Sequence, residues 1–101
     1  SEEMKRFFFS DFIGVVRSIV DGAESNMQLH VGEDFKQFLC EFYTQALAGM
    51  LIEWFRDRNV RDREETIQYI SLIFRASLPN VLRLKSEERS ERRRDLPVEE
   101  R

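Results

Sequence analysis

The sequence is poor in the residues that break regular structure. Only four glycines and two prolines occur among its 101 residues. Because glycine and proline are the strongest breakers of regular structure, their scarcity favours a few long helices over many short strands. A chain of this length is expected to form one small domain with a modest core.

Residues that carry catalysis or bind metals are also scarce. Cys40 and His30 are the only cysteine and histidine, so no internal disulfide can form, which fits a reducing, cytoplasmic compartment. A nucleophilic Cys40–His30 pair is conceivable, but no orienting group or oxyanion motif accompanies it. Zinc-ligand spacings and glycine-rich nucleotide motifs are both missing. We predict no enzyme activity, no metal and no cofactor.

Long apolar runs and an excess of positive charge are missing as well. The longest apolar candidate, residues 46–52, is far shorter than the ~18 residues of a membrane span. The net charge is −3, and the basic run 92–94 is offset by Glu91 and Asp95, so no nucleic-acid footprint is visible. We predict neither membrane insertion nor DNA binding by this chain alone. Because it begins at Ser1 and not at Met, we expect it to be part of a longer protein.

Helical periodicity is strong in three segments. In the first, apolar residues from Phe8 to Ile19 recur at helical spacing, and Gly22 is a candidate stop, which predicts a helix over 2–21. Residues 22–32 are polar and without period, which indicates a loop. The second segment predicts a helix over 33–58.

The third segment begins with a capping box, in which Asp62 is followed three residues later by Glu65. It predicts a helix over 63–84, kinked near its end by Pro79. Residues 1–84 would form the helical domain. Residues 85–101 are almost wholly charged and are expected to be a tail or a helix extension.

These segments predict an all-α fold, a small helical bundle whose last two long helices lie antiparallel because a short loop joins them. Each of these two helices has a second apolar stripe that this chain alone does not cover. A second copy is the simplest cover, giving a homodimer with a four-helix interface. The candidate interface residues are Leu47, Ala48, Leu51, Ile52, Phe55, Tyr69, Ile73 and Ala76.

Aromatic residues are abundant, with nine phenylalanines among them. Any single ring is explained by core packing. Taken together, the rings of the first helix and of the N-terminal half of the second favour an apolar pocket for a small apolar or aromatic ligand. The pocket candidates are Phe8, Phe12, His30, Phe38, Phe42 and Tyr43.

Residues 42–55, followed by a short polar loop and an amphipathic helix from Glu64, resemble the end of a TetR/AcrR-family transcriptional regulator. In that family the penultimate helix often reads aromatic, Ala-x-x-Gly and a further aromatic, and Ala46, Gly49 and Trp54 match this pattern. The resemblance covers about residues 34–84. The chain departs from the family at Arg63, near which the family often has proline, and in having no N-terminal helix-turn-helix.

The resemblance implies an effector-sensing and dimerisation domain. The last two helices would pair with their twofold mates, and the upstream helices would enclose a ligand pocket. Ligand binding would re-space the DNA-binding heads, so DNA would be bound only through the missing N-terminal domain. The alternative is a free-standing helical adaptor whose apolar face receives a helix of another protein.

Overall fold

The computed structural model describes residues 2–57 and 61–101. Their elements are α1 (Glu2–Met27), α2 (Glu33–Arg56), α3 (Arg63–Arg94) and a short 3₁₀ turn at Val98–Glu100. No strand occurs in these two ranges, so the predicted all-α fold is confirmed. The predicted end of the second helix at residue 58 lies outside the described residues. None of the helices in these ranges has an apolar stretch that would span a bilayer.

Helix α1 does not stop at Gly22, and that prediction is wrong. Gly22 lies inside the helix without a positive φ, and the next turn continues because Ala23 and Met27 pack against the core. The helix ends instead in a Schellman motif. Gln28, at φ 56°, takes the left-handed position that glycine usually fills, and the N–H of Leu29 donates to the carbonyl of Glu24 at 3.1 Å.

Helix α3 begins where the capping motif predicts. The side chain of Asp62 accepts a hydrogen bond from the backbone N–H of Glu65 at 3.4 Å, which satisfies one of the unpaired donors of the first turn. The helix then runs past Leu84 to Arg94, so most of the charged segment is a helix extension. Its exposed turns carry ion pairs such as Arg92–Glu88, at 2.9 Å. Pro79 lies inside this helix.

Helix α2 runs antiparallel to both of its neighbours. Phe8, near the start of α1, stacks on Phe55 at the end of α2, with ring centroids 5.9 Å apart. On the other side Tyr43 shares a hydrogen bond of 2.7 Å with Ser77, and Phe35 lies 5.3 Å below the ammonium of Lys85. Earlier residues of α2 therefore meet later residues of α3. The predicted antiparallel pairing is confirmed.

The core lies where all three helices meet, near the end that carries the α1–α2 turn. Its buried residues are Val16, Val20, Val31, Leu39, Cys40, Leu78 and Leu82. They come from every long helix and from the turn, because each helix presents apolar residues at three- and four-residue spacing. Burial of these side chains is the main force that holds the bundle together.

The turn between α1 and α2 is fixed by sheltered polar contacts. Lys36 pairs with Glu24 at 2.6 Å and with Asp21 at 3.0 Å. The other carboxylate oxygen of Glu24 accepts the backbone N–H of Val31 at 3.1 Å. Gly32, at φ 85°, provides the left-handed backbone needed to enter α2. One lysine thus joins the end of α1 to the start of α2.

Candidate functional site

A large apolar cavity lies between α1, the C-terminal half of α2 and the N-terminal half of α3. Its volume is about 500 Å³, within the range of small-molecule sites. Val15, Ile19 and Ile67 are about half exposed on its walls, so the cavity opens to solvent. Its lining residues are Phe12, Val15, Val16, Ile19, Leu47, Leu51, Trp54, Arg63, Thr66, Ile67, Ile70, Ser71, Phe74 and Arg75.

The charged and hydroxyl-bearing side chains in the cavity lining come from α3. Thr66 is buried, and its hydroxyl donates to the carbonyl of Asp62 at 2.9 Å. Arg75 lies at the cavity wall, where its Nε donates to the carbonyl of Ser71 at 3.4 Å. Arg63 lies at the other end of the lining. The cavity therefore has an apolar body with a few polar groups along one helix.

The structure brings only part of the predicted pocket to this cavity. Phe12 lines it, and Phe8 stacks on Phe12 with ring centroids 5.9 Å apart. Phe38 and Phe42 are 64% and 60% exposed and lie on the opposite side of α2. These two rings line a separate, open groove with Phe9 of α1, so the predicted pocket residues are divided between two places, and their role in ligand binding stays a prediction.

The two polar residues among the pocket candidates, Tyr43 and His30, lie outside the cavity. Tyr43 directs its hydroxyl to Ser77 and its ring to Phe74, with centroids 4.4 Å apart. It joins α2 to α3. His30 is exposed in the turn between α1 and α2, at the end of the bundle away from the cavity. Neither residue is placed to contact a ligand there.

The predicted interface residues fall into two groups. On α2, Leu47 and Leu51 line the cavity, and Ala48 and Ile52 are buried within the chain. Phe55 stacks on Phe8. Ala48 and Ile52 are therefore covered within the chain, whereas Phe55 remains 44% exposed.

The α3 set behaves differently. Tyr69 and Ile73 are 51% and 64% exposed, and Ala76 is exposed beside them on the helix. These residues remain available to a partner. An apolar stripe of α2 lies on the same side.

The geometry of the α2–α3 contact identifies that stripe. Tyr43 and Phe74 face each other, and each step along an α-helix turns by roughly 100°. Because the helices are antiparallel, the preceding residues, Phe42 and Ile73, turn to the same side of the pair. The residue that follows Tyr43 on α2 and the residue that follows Phe74 on α3 turn to the other side of the pair. The latter is Arg75, which lines the cavity beside α1. One side of the α2–α3 pair thus faces α1, and the other is uncovered.

We call this uncovered side the outer face. It is an exposed apolar surface on two adjacent helices, and Phe42 and Ile73 lie near its centre. Its members are Phe38, Phe42, Ala46, Tyr69, Leu72, Ile73 and Ala76. A contiguous exposed apolar surface on two adjacent helices is a candidate interaction surface.

Sequence reasoning missed the α3 wall of the cavity. Ile67, Ile70 and Phe74 were visible as an apolar stripe, but such a stripe looks the same whether it packs in a core or lines a cavity. Arg75 gave a stronger signal, because it lies in a stretch of α3 with no other charge from Thr66 to Val81. A single cationic residue among apolar ones indicates a possible ligand contact. An analysis of apolar periodicity alone does not take it into account.

Nothing in residues 2–57 and 61–101 forms a cluster of metal-binding side chains. Cys40 is fully buried, and this burial raises the pKa of its thiol. A buried thiol with a raised pKa is a poor nucleophile. Its surroundings are those of a core residue.

The chain was compared with protein families, curated proteins and solved structures. A family model described as a transcriptional regulator C-terminal region, TetR_C_8, matches residues 1–76. Neither a curated protein nor a solved structure matches the chain. The matched segment includes the whole cavity lining and every residue of the outer face.

Proposed function

The chain belongs to the C-terminal region of TetR-type transcriptional regulators, and from this premise we propose that it binds a small apolar effector and forms a homodimer. Ligand binding and dimerisation are typical of that family. Contact with DNA would then belong to a separate helix-turn-helix N-terminal to this region. Membership in a family of regulators favours this function over a free-standing adaptor.

The apolar cavity is the observation that supports effector binding. A volume of about 500 Å³ bounded by Phe12, Leu51 and Phe74 offers a small molecule extensive contact with aromatic and aliphatic carbon. Transfer of apolar surface from water into such a site contributes about 25 cal/mol per Å². The lining belongs to all three long helices, so a bound molecule would contact each of them.

The outer face supports the homodimer. It lies on α2 and α3, so pairing it with the same face of a second copy would give the four-helix arrangement predicted from the sequence. Phe42 and Ile73 would lie at its centre. Both sides would exclude water from rings and branched side chains that are otherwise more than half exposed.

Effector binding is tested with a variant that fills the cavity. Apolar compounds are screened for a rise in the melting temperature, and a compound at 100 times its Kd should stabilise the chain by about 2.7 kcal/mol. Ser71→Phe places a ring in the cavity and should abolish the rise. Gln68→Phe puts the same ring on the exposed side of α3 and should preserve it. An equal response from both variants would place the binding site elsewhere.

Dimerisation is tested by sedimentation equilibrium at micromolar concentration. The wild-type chain should sediment at twice its mass of 12.1 kDa, and Ile73→Glu should give the monomer because it places a charge at the centre of the outer face. Val98→Glu is the matched control, since Val98 is an exposed apolar residue of the 3₁₀ turn, outside this face. A wild-type monomer would contradict the homodimer, and a dimeric Ile73→Glu would contradict the outer face as its interface.

A further inference from the structure

The charges along the cavity are all of one sign. Among residues 2–57 and 61–101, Arg63 and Arg75 are the charged residues of the lining, and no aspartate or glutamate of these ranges lines it. Across the part of the chain that is described, no carboxylate lies within ion-pair distance of either guanidinium. A cationic ligand would therefore meet repulsion and no counter-charge, whereas an anionic group would meet a cation.

The two arginines are not equivalent. Arg63 is surrounded in sequence by Asp62, Glu64 and Glu65, whose negative charges reduce the local positive potential. Arg75 has no acidic residue within one helical turn on either side: Ser71, Leu72, Leu78 and Pro79 occupy those positions. The backbone carbonyl of Ser71 holds its Nε, which leaves the terminal nitrogens to donate to another group.

The cavity extends along several turns of α3 and of α1. Its α3 wall extends from Arg63 to Arg75, a rise of roughly 18 Å along the helix, and its α1 wall from Phe12 to Ile19, a rise of roughly 10 Å. Between the two arginines the α3 wall presents Ile67, Ile70 and Phe74. This shape suits a chain-like apolar body lying parallel to α3 with its polar end toward Arg75.

We infer that the effector is an organic carboxylate with an extended apolar body, bound with its carboxylate at Arg75 and its chain along the cavity. A planar guanidinium donates two parallel hydrogen bonds to a carboxylate, which fixes both position and orientation. The Ser71 side chain lies at the same end of the lining and adds a hydroxyl donor. The inference rests on the proposed function, since it names the class of molecule that the cavity takes.

The experiment compares three compounds that share one chain and differ at the head group. Decanoate, decanamide and decylamine carry a carboxylate, a neutral amide and an ammonium, and their binding to the wild-type chain is measured by calorimetry below micelle-forming concentrations. We expect decanoate to bind about five- to tenfold more tightly than decanamide, the range for a charge-assisted contact near the surface. Decylamine should bind most weakly. The advantage of decanoate should shrink as salt is added.

Variants at the two arginines identify which of them contacts the carboxylate of the ligand. Arg75→Gln should remove the preference for decanoate and leave decanamide binding unchanged, and Arg75→Lys should retain part of it. Arg63→Gln is the matched control and should keep most of the preference. Decanoate and decanamide binding equally, or decylamine binding best, would overturn the carboxylate inference and leave the cavity as an apolar effector site. If none of the three compounds binds, the inference and the effector function of the cavity both fail.

Discussion

At the scale of single residues, the Lys36–Glu24 ion pair of the α1–α2 turn is sheltered from water. The side chains of Lys36 and Glu24 are only 14% and 12% exposed, whereas each of the other ion pairs among the described residues has at least one partner that is 47% exposed or more. Exposed pairs contribute little because water and salt screen them. A sheltered pair matters more, chiefly because the loss of one partner leaves the other charge buried.

The pKa values of this cluster set its response to acid. A hydrogen bond from Lys36 lowers the pKa of the Asp21 carboxyl. Burial opposes ionisation of Glu24, but hydrogen bonds from Lys36 and from the N–H of Val31 outweigh it and lower its pKa. Both carboxyls bind protons less readily in the folded state, so their stabilisation is present above their unfolded pKa values and is lost as pH falls below about 4.

Lys36→Met should lower the free energy of unfolding at pH 7 by about 1–3 kcal/mol, because Glu24 keeps its burial but loses its counter-charge. Protonation of Glu24 removes that penalty, so the difference from wild type should shrink below about pH 4. Urea denaturation at pH 7 and at pH 3.5 measures both effects. Arg83→Met is the control. Its partner Glu87 is exposed, and the cost should stay within about 0.5 kcal/mol. A loss that is independent of pH would show that Lys36 acts through packing.

At the scale of elements, the ends of the helices differed in how well the sequence defined them. Asp62 specified the start of α3 because a side-chain cap is a local interaction, readable from residues three apart. The end of α1 was missed because Gly22 is only a mild helix breaker, costing about 1 kcal/mol. Contacts of Ala23 and Met27 with the core exceed that cost. Such tertiary contacts are invisible in the spacing of nearby residues.

The same helix end gives a prediction. Gly22→Ala should raise the free energy of unfolding by about 0.5–1 kcal/mol, since nothing lies within 4 Å of the added Cβ and alanine is the better helix former. Gln28→Gly should also stabilise, by about 0.5–1 kcal/mol, because Gln28 has the left-handed backbone at φ 56° that costs a non-glycine residue energy.

Thermal and urea unfolding of both variants measure these gains, and Gly32→Ala is the opposing control. At φ 85° its new Cβ would be strained and would lie 3.4 Å from the side chain of Arg89, so this variant should be less stable than wild type. If Gly22→Ala destabilised the chain, α1 would end near Gly22 in solution, as the sequence alone suggests.

Helix α2 shows what periodicity could not decide. Apolar residues cover most of its circumference, so two stripes were found, but either could face α1 or the outside. From the sequence, Phe42 was a pocket candidate and Leu51 an interface candidate. In the structure Leu51 lines the cavity, and Phe42 lies outside it on the outer face. The rotation of α2 is fixed by distant partners, among them Ser77 and Phe74 against Tyr43. Those contacts lie more than thirty residues apart in sequence.

At the scale of the whole molecule, the helical class, the antiparallel pairing and the family resemblance could all be predicted, because each depends on composition, short loops or a local motif. The cavity could not be. Its volume depends on the distances between the three helices and on how much of the space between them their side chains fill. A small error in the predicted helix distances or side-chain positions would make the cavity disappear. The spacing of Phe12, Leu51 and Phe74 in the sequence determines neither the distances nor the positions.

The proposed homodimer predicts that thermal stability depends on protein concentration. Only the folded chain associates into a dimer, and the unfolded chain does not. The melting temperature should therefore rise as the protein concentration is raised from low to high micromolar. Ile73→Glu should remove this dependence, and Val98→Glu should retain it. Scanning calorimetry at several concentrations measures the effect. A wild-type melting temperature that stays constant would mean that the outer face does not contribute to stability through a second copy.

The cavity and the outer face are opposite sides of the same two helices, α2 and α3. Phe74 reaches into the cavity while its neighbour Ile73 points outward, so a shift of α3 moves both surfaces together. Thermodynamic linkage then imposes a symmetry between the two binding equilibria. Whatever factor a molecule in the cavity applies to the dimer association constant, association applies the same factor to the affinity of the cavity for that molecule.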